Sequence, residues 1–201
     1  MSKPDLGAII RPGEPAMVAE PIRHRFTLDE YRTMVESGIL TADDRTELIE
    51  GEIWEMAAIG SRHASSVKRL NRLFAPLSPS ALLSVQDPVD LDAENEVQPD
   101  FALLRTSPSF YLERHPGPAE VLLIIEVADS TLGFDRGTKA RLYARAGIAE
   151  LWIFDLAGRA LEVHRDPGPK SYATIRRLRP GERIAPLAFP SFEIDPADVL
   201  G

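Results

Sequence analysis

The sequence predicts an α/β protein built on a mixed β-sheet flanked by helices. Three observations predict it. The run Val121 to Ile125 is uninterrupted apolar, as suits a strand covered on both faces. Apolar residues recur at helical spacing in three separate segments. Strand-like and helix-like segments interleave without the strict βαβ alternation of a doubly wound sheet. A chain of 201 residues fits one core, and residues 26–201 are expected to form a single domain. Residues 1–25 carry Pro4, Pro12, Pro15 and Pro21 and no apolar stretch with a processing site, so they read as a flexible N-terminal arm.

The elements follow in order. Thr27 with Glu30 three residues later is a capping box, and Leu28, Tyr31, Met34 and Val35 continue at helical spacing to Gly38. A strand is expected around Gly51 to Met56, where Ile53 and Trp54 are β-formers. Ser61 is positioned to cap a second helix whose apolar stripe runs His63, Val67, Leu70 and Phe74, with Pro76 just past its end. Strands are expected at Leu82 to Leu91, Gln98 to Leu104 and Val121 to Val127, with a Pro- and Gly-rich loop from Thr106 to Ala119. A third helix spans about Asp135 to Ala146 and stops at Gly147. Leu151 to Leu156 is a buried strand, and Ala160 to Arg165 with Tyr172 to Leu178 forms a closing hairpin.

Composition narrows the function. The chain has no cysteine, which excludes thiolate zinc sites, iron–sulfur clusters, a cysteine nucleophile and disulfides, and is compatible with a cytoplasmic location. No apolar run approaches the roughly 20 residues of a spanning helix, so no membrane partner is expected. Net charge is −8, the wrong sign on average for a partner made of phosphates. The distribution softens that objection: Phe26 to Met56 holds nine acids against two bases, whereas Thr131 to Pro180 holds ten bases against five acids. Phosphate loops ending in Lys-Ser or Lys-Thr, Gly-x-Ser-x-Gly elbows and His-Glu-x-x-His pairs are missing, which lowers the standing of nucleotide-driven work and serine hydrolysis.

Function is then sought where local rules are broken. Glu126 ends an apolar strand, and a carboxylate entering a buried sheet is costly unless paired or bound to a cation; an exposed strand tip is the bland alternative. Asp100 follows Pro99, which marks a strand start or edge, and this leaves the carboxylate at a mouth; Pro-Asp is also a common turn pair. Lys139 shares a stripe with Leu142, Tyr143 and Ala146, while Arg141 and Arg145 fall on the other side, so the lysine either snorkels or has work inside. His63 begins an apolar stripe, where most histidines are simply half-buried. Glu47 and Glu50 gain interest only from the company they keep.

Taken together, Gln98-Pro99-Asp100, the segment Ile125-Glu126-Val127-Ala128-Asp129-Ser130-Thr131, then Asp135 and Lys139, then Tyr143 through Asp155, resemble the Uma-two family of restriction endonucleases. Glu47 through Ile53 and the lone His63 fit the family's N-terminal pattern, so the resemblance covers about residues 25–200. It implies a restriction-endonuclease-like core of the PD-(D/E)XK superfamily, with a mixed four-stranded sheet between helices. It also implies magnesium-dependent cleavage of phosphodiester bonds with Asp100 and Glu126 as the acidic pair. One departure matters: the superfamily pattern puts Lys two residues after the Glu, but residue 128 is Ala, and the resemblance implies that Lys139 supplies the amine from the following helix.

On that reading Asp100, Glu126 and the carbonyl of Val127 hold Mg2+, with Mn2+ as the substitute. Lys139 contacts the attacking water or the scissile phosphate, and its loss is expected to slow cleavage while leaving stability nearly unchanged. Glu47 or Glu50 completes the acidic cluster through water, and His63 approaches the phosphate. The expected partner is DNA, cut by a homodimer whose two sites match two strands. Two alternatives stay open: an inactive nuclease-like fold that only binds nucleic acid or protein, and a scaffold or toxin-partner role.

Overall fold

The computed structural model describes residues 22–41 and 43–201. The expected N-terminal arm lies outside the described residues up to position 21. From Phe26 onward the backbone is tied down, its N–H donating to Gly51 O at 2.8 Å.

The chain runs α1 (Leu28–Glu36), β1 (Thr46–Ile49), β2 (Glu52–Glu55), α2 (Ser61–Phe74), β3 (Leu82–Ser84), β4 (Val89–Asp92), β5 (Asn95–Val97), β6 (Phe101–Leu104) and β7 (Val121–Ala128). It continues with α3 (Leu132–Phe134), a π-helical stretch Asp135–Lys139, α4 (Ala140–Arg145), β8 (Glu150–Asp155), β9 (Ala160–Pro167), β10 (Tyr172–Leu178) and α5 (Ala197–Leu200). The strands make two sheets. One has the order β2-β1-β5-β4 and the other the order β10-β9-β8-β7-β6-β3. The larger sheet is mixed: β7 pairs antiparallel with β6 and parallel with β8. Only a crossover can join a parallel pair, and the α3 to α4 segment is that crossover. Among the described residues no helix is long and apolar enough to cross a membrane.

Strand β7 explains the layering. Its side chains alternate, so Ile124 and Ala128 join a cluster with Tyr143 and Ile148 on one face, while Leu123, Ile125 and Val127 join Val67, Leu70 and Phe74 of α2 on the other. The single core expected is therefore split into a layer on each side of the sheet. Each such side chain removed from water contributes roughly 1.5–3 kcal/mol before entropy is counted. The alternation also settles Glu126, which falls between Ile124 and Ala128 and faces the crossover helix.

Several expected elements take a different form. The capping box at Thr27 forms as read, with Thr27 N–H donating to Glu30 Oε2 at 2.8 Å. The single strand near Gly51 is instead a hairpin, because Glu50 (φ 51°) and Gly51 (φ 72°) both adopt left-handed backbone in a two-residue turn between β1 and β2. Gly51 is required there twice over, since an added Cβ would lie 2.6 Å from Arg25 Cβ. The expected strand Leu82 to Leu91 breaks at Gln86 (φ 59°) and Pro88 into β3 and β4, which belong to different sheets. Gln98 to Asp100 is likewise a link between β5 and β6, because Pro99 has no N–H to give a ladder. Helix α2 is preceded by Gly60 without a side-chain cap, and Ser61 is its first residue.

Candidate active site

Side chains from β1, α2, the link before β6, β7 and the crossover converge at one end of the β6–β7 pair. Phe101 pairs with Ile125 in the β6–β7 ladder, and just beyond that pair Asp100 and Glu126 meet: the Asp100 N–H donates to Glu126 Oε2 at 3.3 Å. The Val127 N–H donates to Asp100 Oδ2 at 2.9 Å, so Glu126 is held by the backbone of Asp100 and Asp100 by that of the residue after Glu126. From the crossover, Lys139 Nζ donates to Glu126 Oε1 at 3.2 Å and to Glu47 Oε1 at 3.0 Å. From β1, Glu47 Oε1 also accepts the Gln98 N–H at 3.1 Å. His63 of α2 closes the group, its Nε2 lying 2.9 Å from Asp100 Oδ1.

Lys139 is 4% exposed, so its ammonium does not snorkel. It is placed by the π-helical stretch Asp135–Lys139, which widens one turn of the crossover; such bulges inside helices are frequent at functional sites. Its inward stripe is the one the sequence predicts, with Leu142 and Tyr143 buried beside it, while Arg141 and Arg145 reach out to Glu50 at 3.5 and 3.1 Å. Glu50 is thereby excluded from the cluster, and Glu47 is the glutamate that enters it. The hairpin turn separates the two.

Two further residues complete the site. Tyr143 donates its hydroxyl to Glu126 Oε1 at 2.6 Å; from sequence this tyrosine reads as core-facing and as the start of a segment that carries the resemblance, with no role at the site. Asp135 is buried and accepts from Thr131 Oγ1 at 2.6 Å. Its place at the start of the inward-facing helix was a visible signal of the same kind as that of Lys139.

Electrostatics follow from crowding. The cluster lines a cavity of about 200 Å³ whose walls carry Glu47, Asp100, Glu126, Asp129 and Asp135 against Arg45 and Lys139, with His63 between. Burial, reinforced by Asp100, Asp135 and Glu47, pushes the Glu126 carboxyl up to about 8 even though Lys139 opposes the shift. Burial likewise raises Asp135. Burial alone would lower Lys139, but Glu126 and Glu47 outweigh it and hold the amine protonated. The hydrogen bond to Asp100 raises His63. A larger cavity of about 740 Å³ lies beside this one and meets it at Arg45 and Gln98, but it contains none of the clustered carboxylates.

The donor set fits a hard divalent cation. Acidic oxygens exceed cationic groups, and Glu47 Oε2 is buried with no hydrogen-bond partner. Among the described residues no group of three or more His, Asp or Glu side chains is placed to hold a metal ion by itself. Magnesium does not require such a group, since it is usually held by one or two carboxylates and keeps several waters.

Comparison with known proteins followed the same line. The solved structure of a putative nuclease belonging to DUF820 from Anabaena variabilis superimposes with a TM-score of 0.64 at 16% identity, over 87% of this chain and 97% of that one. That likeness establishes the fold, a restriction-endonuclease-like arrangement of mixed sheet and helices. The type IIG restriction endonuclease BpuSI aligns with a TM-score of 0.38 at 16% identity, over 60% of this chain and 14% of that one. No curated protein matches. The family described as "Putative restriction endonuclease", Uma2, matches residues 28–197, a span that takes in every residue of the cluster, and the chain belongs to that family.

Proposed function

We propose that this chain is a metal-dependent endonuclease hydrolysing phosphodiester bonds in DNA. One observation carries the reading: the carboxylates of Asp100 and Glu126 are locked together at the mouth of the sheet with the ammonium of Lys139 on Glu126. Asp100 and Glu126 would hold Mg2+ or Mn2+, with the carbonyl of Val127 as the third protein oxygen. Bound there, the ion would neutralise phosphate charge and acidify water.

The protein groups divide the remaining work. Lys139, held protonated by Glu126 and Glu47, is a fixed positive charge and not a base, so it stabilises charge developing on the phosphate. Glu47, with Oε2 unpartnered, accepts from a water in the cavity and completes the acidic cluster. His63, raised by Asp100, presents positive charge toward the incoming phosphate. Tyr143 fixes the rotamer of Glu126. A homodimer would give one such site per strand of a duplex.

Incubation of supercoiled plasmid with the protein, with and without magnesium, tests the reading. Nicking or linearisation that needs the ion and vanishes in Asp100→Asn is expected. Plasmid and single-stranded circular DNA both left intact in magnesium and in manganese would overturn it. A second reading is a binding module that does not cut, favoured by one feature: Lys139 already serves Glu47 and Glu126 as an internal counter-ion. Salt-dependent DNA binding without cleavage would be its signature.

A further inference from the structure

Phe134 lines the cavity, and its ring packs against Trp54 in an aromatic pair that the cluster does not use. Trp54 stands directly opposite Glu47 in the β1–β2 ladder, and directly opposed residues project from the same face of a sheet. Glu47 is buried at the cluster, whereas Trp54, one strand further out, is 40% exposed. Its ring lies 5.2 Å from that of Phe134, tilted by 41°, and Phe134 lines the cavity at the residue before the π-helical stretch. Arg45 lines the same cavity as Phe134, and its Nη1 donates to Ala57 O at 2.6 Å. Among the described residues Arg45 makes no ion pair, and its charge is felt at His63. A guanidinium that has a backbone carbonyl but, among the described residues, no carboxylate partner keeps its charge available to an anion.

We propose that Trp54, Phe134 and Arg45 form a subsite for one unpaired nucleotide adjoining the scissile phosphate, with the base stacked on Trp54 and its phosphate on Arg45. The proposal rests on the nuclease reading and names its substrate class: single-stranded or locally unpaired nucleic acid, in preference to a fully paired duplex. The physical reason is that a base already paired and stacked on its neighbours has no free face to give an aromatic ring; it must first leave the stack. Stacking is tolerant of sequence because every base has a π-face, and it supplies affinity that a net-acidic site cannot draw from backbone phosphates alone. Arg is suited to the second role because its planar fork meets phosphate oxygens in pairs.

Tryptophan emission reads the subsite directly. The chain has two tryptophans, and Trp152 is 0% exposed, so a change on ligand binding reports Trp54. Metal-free protein in EDTA is titrated with a single-stranded oligonucleotide and with the same sequence as a blunt duplex. The single strand is expected to quench emission and the duplex to quench far less, with no response in Trp54→Phe. In magnesium, Trp54→Ala and Arg45→Ala are each expected to raise KM for the single strand about tenfold, the scale of one lost base stack, with the loss falling on KM more than on kcat. Cleavage by the parent protein together with unquenched emission and an unchanged KM in Trp54→Ala would overturn the subsite and leave the nuclease reading standing. Quenching by the single strand with no cleavage of any substrate would overturn the nuclease reading and leave the subsite standing.

Discussion

Tyr143 donates its hydroxyl to Glu126 Oε1 at 2.6 Å, the same oxygen that receives the Lys139 ammonium at 3.2 Å. One carboxylate oxygen thus takes both donors from the crossover helix, while the other, Oε2, accepts from the Asp100 backbone. The glutamate is held from two sides, so its partners contribute to stability as well as to chemistry.

Tyr143→Phe keeps the buried ring and removes only the hydroxyl. Leaving a buried acceptor short of a donor costs about 1–3 kcal/mol, which for a domain of this size lowers Tm by roughly 2–4 °C per kcal/mol. Thermal melts of the two proteins without metal check this; an unchanged Tm would show that the hydroxyl does not hold Glu126.

Lys139→Ala is expected to be costly in structure as well as in rate, which revises the reading made from sequence. Removing the ammonium leaves Glu47 and Glu126 buried without a counter-ion, and breaking a buried pair in this way costs about 3–5 kcal/mol. Arg141→Ala removes a 3.5 Å surface contact to Glu50, an interaction worth about 0–1 kcal/mol. Urea unfolding of both variants separates them, and equal midpoints would remove Lys139 from the buried network.

Stability without metal should fall as pH rises from about 4.5 to about 8. Burial raises Glu126 from the ordinary glutamate value of 4.5 to about 8, so between those values the folded state binds a proton that the unfolded state has released. That contribution is fully present below 4.5 and lost as pH passes 8. His63 and Asp135, both raised, act in the same direction, whereas His164, which burial lowers, acts in the opposite one. Urea midpoints at pH 5 and pH 9 should differ in the parent protein and differ less in Glu126→Gln; an equal difference in the two proteins would contradict the assignment.

Asp100→Ala should abolish divalent-ion binding, because it takes away one of the two carboxylates proposed to hold the ion. The backbone N–H of Val127 then also loses its acceptor. Calorimetric titration with Mn2+ tests it, and an affinity equal to that of the parent protein would move the ion elsewhere.

Much of this was written in local pattern. The capping box at Thr27, the α2 stripe from His63 to Phe74 and the inward face of Lys139 follow from 3.6-residue periodicity, which a helix obeys whatever packs against it. Glu126 was legible because a charge interrupting five apolar residues is expensive anywhere in a covered strand. The distances between these residues were not legible. Glu47 and Lys139 are 92 positions apart, and only the β1 hairpin, the order of two sheets and a π-helical stretch bring Oε1 and Nζ to 3.0 Å. Whether Glu47 or Glu50 enters the cluster depended on a turn placed between them, and Trp54 came to Phe134 only through its register with Glu47. Periodicity fixes which way a side chain points along its own element. Register, crossover and sheet order decide what it meets, and they are set by contacts between segments that no local pattern encodes.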